Sequence, residues 1–290
     1  MHQRTQVRWP VLLLVILALA SAGGRAKSFL RSTWAAVAPQ QAAAAEVPGI
    51  ETKADEPQSE VKPRPSGGQG GGQGVFAEGK LEVGDKKREY RLIVPKSVDL
   101  TKPTPLVFAF HGLFDSKNLM PMYSQLDKLA EEKGFILVFP NGLNRHWSII
   151  PALAKDDIAF FDALYARLTA EYNVDLNRVY LTGMSNGAYF SNLIASQRTE
   201  IIAAIATHSG GIGFVAAKPP EGKHKYPVLV VHGVDDSIVN IDEGRKQRDL
   251  YLKWGHKVEY VEVPGHNHFW AHKVDVNHKI WDFFVAHPKR

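Results

Sequence analysis

The chain has 290 residues, 44% of them apolar and 22% charged, with a formal net charge of +5. That apolar share excludes wholesale disorder and a polytopic membrane protein, and the mild, scattered basicity reads as a solvated surface with no nucleic-acid partner. With no Cys in the chain, a disulfide scaffold, a thiolate metal site and a thiol nucleophile are excluded. Met1–Pro10 carries Arg4 and Arg8 and no acid, Val11–Ala20 is an unbroken apolar run, and Ala20-Ser21-Ala22 supplies small residues after it. This pattern predicts a signal peptide over 1–22 and a secreted or periplasmic protein. The run is about half of the ~20 residues needed to cross a bilayer, so no stable membrane span is expected after cleavage. Residues 23–74 read as a disordered low-complexity linker: Pro48, Pro57, Pro63 and Pro65 interrupt it, and Ser66–Gly74 holds six of the 24 Gly. Such a stretch has too little apolar surface to offset its backbone entropy.

Residues 75–290 alternate between two periodicities. Leu81–Val94 predicts a hairpin turning at Gly84-Asp85. Short apolar runs follow at Leu106–Phe110, Phe135–Phe139, Ile201–Ala206 and Val228–Val231, with further strand segments at Arg178–Thr182 and Val258–Val263. Uninterrupted runs of this length suit a mostly parallel sheet covered on both faces. Between them, Asn118–Lys133, Asp156–Tyr172, Ser185–Gln197, Ile241–Trp254 and Asn277–Val285 predict helices, with Pro121 tolerable in the first turn of the first one. Strand–helix alternation with right-handed crossovers builds a three-layer α/β domain, whose ligands bind at the carboxyl ends of the strands.

The residues that carry chemistry fall at those ends. Gly183-Met184-Ser185-Asn186-Gly187 is G-x-S-x-G between a strand, RVYLT, and an apolar helix. A sharp strand-to-helix turn of this kind exposes a serine hydroxyl beside a helix N-terminus. A serine is a poor nucleophile near neutral pH, so it needs an imidazole, and the imidazole needs a carboxylate to hold its tautomer. Val228–Val231 opens into His232-Gly233-Val234-Asp235-Asp236, and Val258–Val263 opens into Pro264-Gly265-His266-Asn267-His268. Spacing alone leaves Asp235 or Asp236 as the acid and His266 or His268 as the base. His266, His268 and His272 have spacings that could ligate zinc, but no further ligand run accompanies them, so no metal and no cofactor are expected.

Taken together, His111-Gly112, PNG at Pro140–Gly142 with Trp147 after it, YNVDLNRVYLTGMSNGA across Tyr172–Ala188, HGVDD at His232–Asp236 and HFW at His268–Trp270 resemble the poly(3-hydroxybutyrate) depolymerase and feruloyl esterase branch of the α/β-hydrolases. The resemblance spans nearly all of 75–290. It implies an α/β-hydrolase three-layer sandwich with a mostly parallel sheet. The short Ser209–Tyr226 connection leaves no room for a large lid domain. The family pattern H-G-x-x-D falls on Asp236 and H-x-W on His268, giving Ser185, Asp236 and His268 as the implied catalytic residues. The implied oxyanion hole is the main-chain N–H of Leu113 with that of Asn186. Trp147 and Phe114 are the residues expected to bind substrate. Leu113 stands where many relatives have Cys, Ala188 replaces a frequent second Gly, and no polymer-binding module follows Arg290. These departures weigh against insoluble polymer as substrate. The expected function is that of a serine ester hydrolase acting on feruloyl, acetyl-sugar or short hydroxyalkanoate esters, small or derived from polysaccharide or polyester. The rival readings are an oligopeptidase-like serine peptidase and a non-catalytic carbohydrate- or surface-binding protein.

Overall fold

The computed structural model describes residues 61–212 and 224–290; the expected signal peptide and residues 23–60 of the expected linker lie outside the described residues. Eight strands form one sheet: β1 (Val75–Val83), β2 (Lys86–Val94), β3 (Thr104–Phe110), β4 (Ile136–Pro140), β5 (Val174–Met184), β6 (Ala204–His208), β7 (Val228–Gly233) and β8 (Val258–Val263). Their spatial order is β1-β2-β4-β3-β5-β6-β7-β8. The first hairpin turns at Gly84-Asp85 as its sequence predicts, and β2 meets β4 antiparallel, while every pairing from β4 to β8 is parallel. Strands β3, β4, β6 and β7 are buried along their whole length. β8, at the sheet edge, is half-buried, and carries Glu259 and Glu262 on opposite faces.

Six α-helices cover the sheet: α1 (Leu119–Ser124), α2 (Leu126–Lys133), α3 (Lys155–Glu171), α4 (Asn186–Gln197), α5 (Ile241–Lys253) and α6 (Val276–Ala286). Alternation along β3 divides the core between the two faces. Val107 and Ala109 join the cluster formed with Leu126 and Leu129 of α2 and Ile280 and Phe284 of α6. On the other face Phe108 packs on Phe161 of α3 and Phe110 on Phe190 of α4. Each such large apolar side chain removed from water contributes about 1.5–3 kcal/mol, and the two faces together hold the expected three layers. The connection from His208 to Val228 is too short to fold as a lid domain.

Three expectations are corrected. The helix predicted over Asn118–Lys133 is two helices, because Gln125 adopts a left-handed conformation (φ 53°) between them. The break is held from outside: Asn277 Nδ2 donates to the Ser124 carbonyl at 2.8 Å. β5 begins four residues earlier than expected, at Val174, where Thr104 pairs with it ahead of a register shift in which β5 carries the extra residues. The end of the expected linker, from Lys62 to Gly71, is docked. Ser66 N–H donates to the Val174 carbonyl, Gly70 and Gly71 N–H to that of Glu171, and Leu176 N–H to that of Arg64. Buried Asp175 organises this contact, accepting from Arg64 N–H and Asn177 N–H on one oxygen and from Arg178 Nε (2.6 Å) on the other. Backbone groups thus replace the apolar surface that the Gly-rich composition lacks.

Candidate functional site

The turn from β5 to α4 forces Ser185 into φ 54°, ψ −119°. A non-glycine residue there stores about 1–3 kcal/mol of backbone strain. The surrounding bonds impose it: Ser185 N–H donates to the His208 carbonyl at 2.9 Å, while its own carbonyl accepts from Ala188 and Tyr189 as α4 begins. Gly183 and Gly187 make the turn sterically possible, since a Cβ on Gly187 would lie 2.0 Å from the Phe110 carbonyl oxygen and one on Gly183 would lie 2.4 Å from that of Gly187. The result is selective exposure. From Val179 to Ser196 every residue is buried except Ser185.

Asp236 and His268 meet across the ends of β7 and β8. His268 Nδ1 lies 2.8 Å from Asp236 Oδ2, and both side chains are nearly free of solvent. The other carboxylate oxygen accepts the N–H groups of Ile238 and Val239 at 2.9 and 2.8 Å. Burial alone would raise the Asp236 carboxyl. Hydrogen bonds from His232 and His268, with the Val239 N–H, outweigh it and hold the group below the ordinary carboxylate range. The neighbours left open by spacing go elsewhere. Asp235 is exposed, and His266 Nε2 donates to the Phe269 carbonyl at 2.6 Å. His272 is directed to the Tyr123 carbonyl, so the three histidines with zinc-like spacing take three separate partners. No cluster of three or more metal-binding side chains occurs among the described residues.

Ser185 Oγ and His268 Nε2 each have no hydrogen-bond partner among the described residues, and no bond joins them in this conformation. Their elements are tied together by His208. Its carbonyl holds the Ser185 N–H, and its ring Nε2 accepts the Ala271 N–H at 3.0 Å, three residues beyond His268. Sequence reading missed this residue, because a histidine at the end of a buried strand carries no pattern of its own.

The two amides expected to form an oxyanion hole belong to Leu113 and Asn186. Gly112 packs against Ser185, and Leu113 follows it. The N–H groups of Leu113 and Asn186 have no acceptor among the described residues, whereas the next amide, Phe114 N–H, is taken by the Arg145 carbonyl at 2.8 Å. Phe114 is half-buried in a left-handed conformation (φ 61°). Trp147 corrects its expectation as a substrate contact: it has no exposed surface. It stacks on Phe190, donates from Nε1 to the His111 carbonyl, and has its main-chain N–H and C=O both bonded by the Asn186 side chain, at 2.7 and 3.1 Å. Trp147 therefore braces Asn186, the residue that follows Ser185.

His111 completes that brace. Its Nε2 accepts the Gly142 N–H at 3.0 Å, which fixes the proton on Nδ1, and Nδ1–H donates to the Gly112 carbonyl at 2.7 Å. Burial pushes its pKa down from 6.5 to about 4. His208, also buried, is lowered well below 6.5. In both cases the unfolded chain takes up the proton first, so stability is full above pH 6.5 and falls as pH drops toward 4. For His111 the loss across that window is about 3 kcal/mol. Denaturant titrations at pH 7, 6, 5 and 4 are expected to show this decline; a flat profile over that range would contradict the neutral, locked imidazoles.

Comparison with known proteins agrees with this geometry. The esterase PHB depolymerase family model matches residues 88–219, and the secretory lipase model matches 221–281. A probable feruloyl esterase C of Aspergillus oryzae is 30% identical over 205 residues, covering 67% of this chain and 72% of that protein. One from Aspergillus terreus is 30% identical over 173 residues, covering 57% and 61%; the chain thus spans only about three fifths of some of the relatives it matches. Among solved structures, the ferulic acid esterase of the anaerobic fungus Anaeromyces mucronatus superposes with a TM-score of 0.57 at 20% identity, covering 75% of this chain and 95% of that one. The strand order, the strained serine turn and these likenesses agree, and the chain belongs to the poly(3-hydroxybutyrate) depolymerase and feruloyl esterase family of α/β-hydrolases.

Proposed function

We propose that the protein is an exported serine carboxylic ester hydrolase acting on feruloyl or short acyl esters of plant-type sugars. The observation that carries the reading is the exposure of strained Ser185 in an otherwise buried stretch, at the same sheet edge as the buried Asp236–His268 pair. In the reaction, Ser185 Oγ attacks the ester carbonyl carbon while His268 Nε2 takes its proton. The negative charge that develops on the carbonyl oxygen is met by the N–H groups of Leu113 and Asn186, each such donor being worth about 3 kcal/mol. His268 then returns the proton to the departing alkoxide, leaving an acyl-serine. Water attacks that acyl group, His268 again carrying the proton, and the carboxylic acid leaves. Asp236 keeps the His268 proton on Nδ1 throughout and stabilises the imidazolium.

The feruloyl esterase relatives support an aromatic acyl group, as do the exposed apolar side chains Val234, Ile238 and Phe269 beside Asp236 and His268. Export rests on the signal-like pattern of residues 1–22 and on the match to the secretory lipase family. Among the described residues no helix is long and apolar enough to cross a membrane. The test is fluorophosphonate labelling with mass mapping, together with a panel of methyl ferulate, acetylated xylo-oligosaccharide, 3-hydroxybutyrate oligomers and a peptide substrate. Labelling at Ser185 with turnover of the ferulate or acetyl esters is expected. Absence of label would leave a binding protein, and preference for the peptide would leave a peptidase.

A further inference from the structure

His232 ends β7 with no exposed surface and no place in the reaction as described. Its Nε2 lies 2.9 Å from the Val239 carbonyl and 3.2 Å from Asp236 Oδ2, the same oxygen that His268 Nδ1 approaches at 2.8 Å. A carbonyl can only accept, so Nε2 bears the proton. The opposite nitrogen, Nδ1, is buried without a partner, and α5 closes over it: a Cβ on Gly244 would lie 2.6 Å from that atom. A proton there would be a buried donor with nothing to receive it, at a cost of about 1–3 kcal/mol. His232 is thus fixed in one tautomer, with its Nε2–H bonded to the Val239 carbonyl and Asp236 Oδ2 within 3.2 Å of the same nitrogen.

We infer that His232 is a positioning residue for catalysis: its Nε2–H anchors Asp236 Oδ2 and draws charge from the oxygen that faces His268. The inference rests on the proposed Ser185–His268–Asp236 reaction and adds a second imidazole to it. Two amides fix one carboxylate oxygen and two imidazoles divide the other, so the carboxylate plane has a single orientation. Sharing Oδ2 also tempers its pull on the His268 proton, because an oxygen already bonded by a neutral donor stabilises an imidazolium less than a bare one.

The other groups around His232 do not substitute for it. His208, on the neighbouring strand β6, spends Nε2 on the Ala271 N–H. Glu262 of β8, opposite His232 in register, is bound by Arg245 through both oxygens at 2.8 and 3.0 Å. α5 presents Gly244 at the ring.

The test compares His232→Met, which keeps the volume and removes the donor, with His232→Gln, whose amide nitrogen can reach the Nε2 position. Turnover of p-nitrophenyl acetate is followed from pH 5 to 9, and folding is checked by thermal denaturation and fluorophosphonate labelling. His232→Met is expected to lose about tenfold to a hundredfold in kcat. Its acidic pH limb should move up by about half a unit to one unit, as His268 then faces an undivided charge. His232→Gln should restore most of the rate and the parental limb. If both folded variants show the parental limb and equal rates, His232 is packing alone and the inference is overturned. If neither His232 variant folds, the same comparison is made with Gly244→Ala, whose added Cβ would press on the His232 ring and push its Nε2 off Asp236 while both amide donors stay in place; an upward shift of the limb is expected, and a parental limb in the folded variant overturns the role given to His232. Ser185→Ala and His268→Ala are run alongside. Activity surviving in those two would sink the underlying reaction instead, so the two failures are separable.

Discussion

Ser185→Ala is expected to lower kcat for ester hydrolysis about a millionfold, the loss seen when a nucleophile that works as one unit with its base is removed. The structure explains why no neighbour can take over. Every other residue from Val179 to Ser196 is buried, and the strained φ of 54° at position 185 aims only this side chain outward. Asp236→Asn should cost less, about ten thousandfold. An asparagine amide must turn its NH2 either toward the Ile238 and Val239 N–H groups, which now donate to Oδ1, or toward His268, whose Nδ1 must carry a proton. Either choice sets donor against donor. Single-turnover kinetics on p-nitrophenyl acetate with each folded variant measures both losses; a Ser185→Ala protein retaining more than a hundredth of the parental rate would refute the assignment.

Gly187→Ala is expected to have the largest effect on stability. The added methyl would sit 2.0 Å from the Phe110 carbonyl oxygen and 2.5 Å from its carbon. These are main-chain atoms of a fully buried central strand, so no rotamer change relieves the overlap. α4 would have to move off β3, breaking the Phe110–Phe190 and Trp147–Phe190 contacts. A cost above about 4 kcal/mol follows, a large part of a typical domain's total stability. Thermal denaturation should show a loss of about 10 °C or more, or the variant should fail to accumulate in soluble form. A melting point within two or three degrees of the parent, by the same conversion, would mean that the helix and strand tolerate a wider spacing than this structure allows.

Much of the fold was legible because its signals are local. Gly84-Asp85 marks a hairpin turn, and LVFAF and FILVF are apolar without interruption because both of their faces are covered. What was illegible depends on distant partners. Gln125 carries no turn signal, and its left-handed conformation is set where Asn277 grips the preceding carbonyl. The glycines near Ser66 read as free chain, yet they are held by carbonyls more than a hundred positions away. At the site, G-x-S-x-G announced Ser185 through its own turn geometry. The adjacent pair Asp235 and Asp236 could not be separated by spacing, since both lie past the same strand; only the direction of the loop decides which carboxylate reaches His268. Trp147 looked like a pocket wall because aromatic residues near active sites often are, but the Asn186 side chain draws its segment inward. His208 and His232 act through a single ring nitrogen each and His111 through both, a property that no sequence pattern encodes.

The docking of Lys62–Gly71 has a practical consequence. That segment is bonded where β5 begins, and Ser185 stands where β5 ends. Over its length β5 runs beside the seven residues of β3, so the two ends lie about 20 Å apart at the usual rise of a strand. An immobilisation handle or display fusion joined ahead of Lys62 therefore leaves the folded part at the end of β5 opposite Ser185, and a support-bound protein would present that serine to bulky or particulate material instead of to the support.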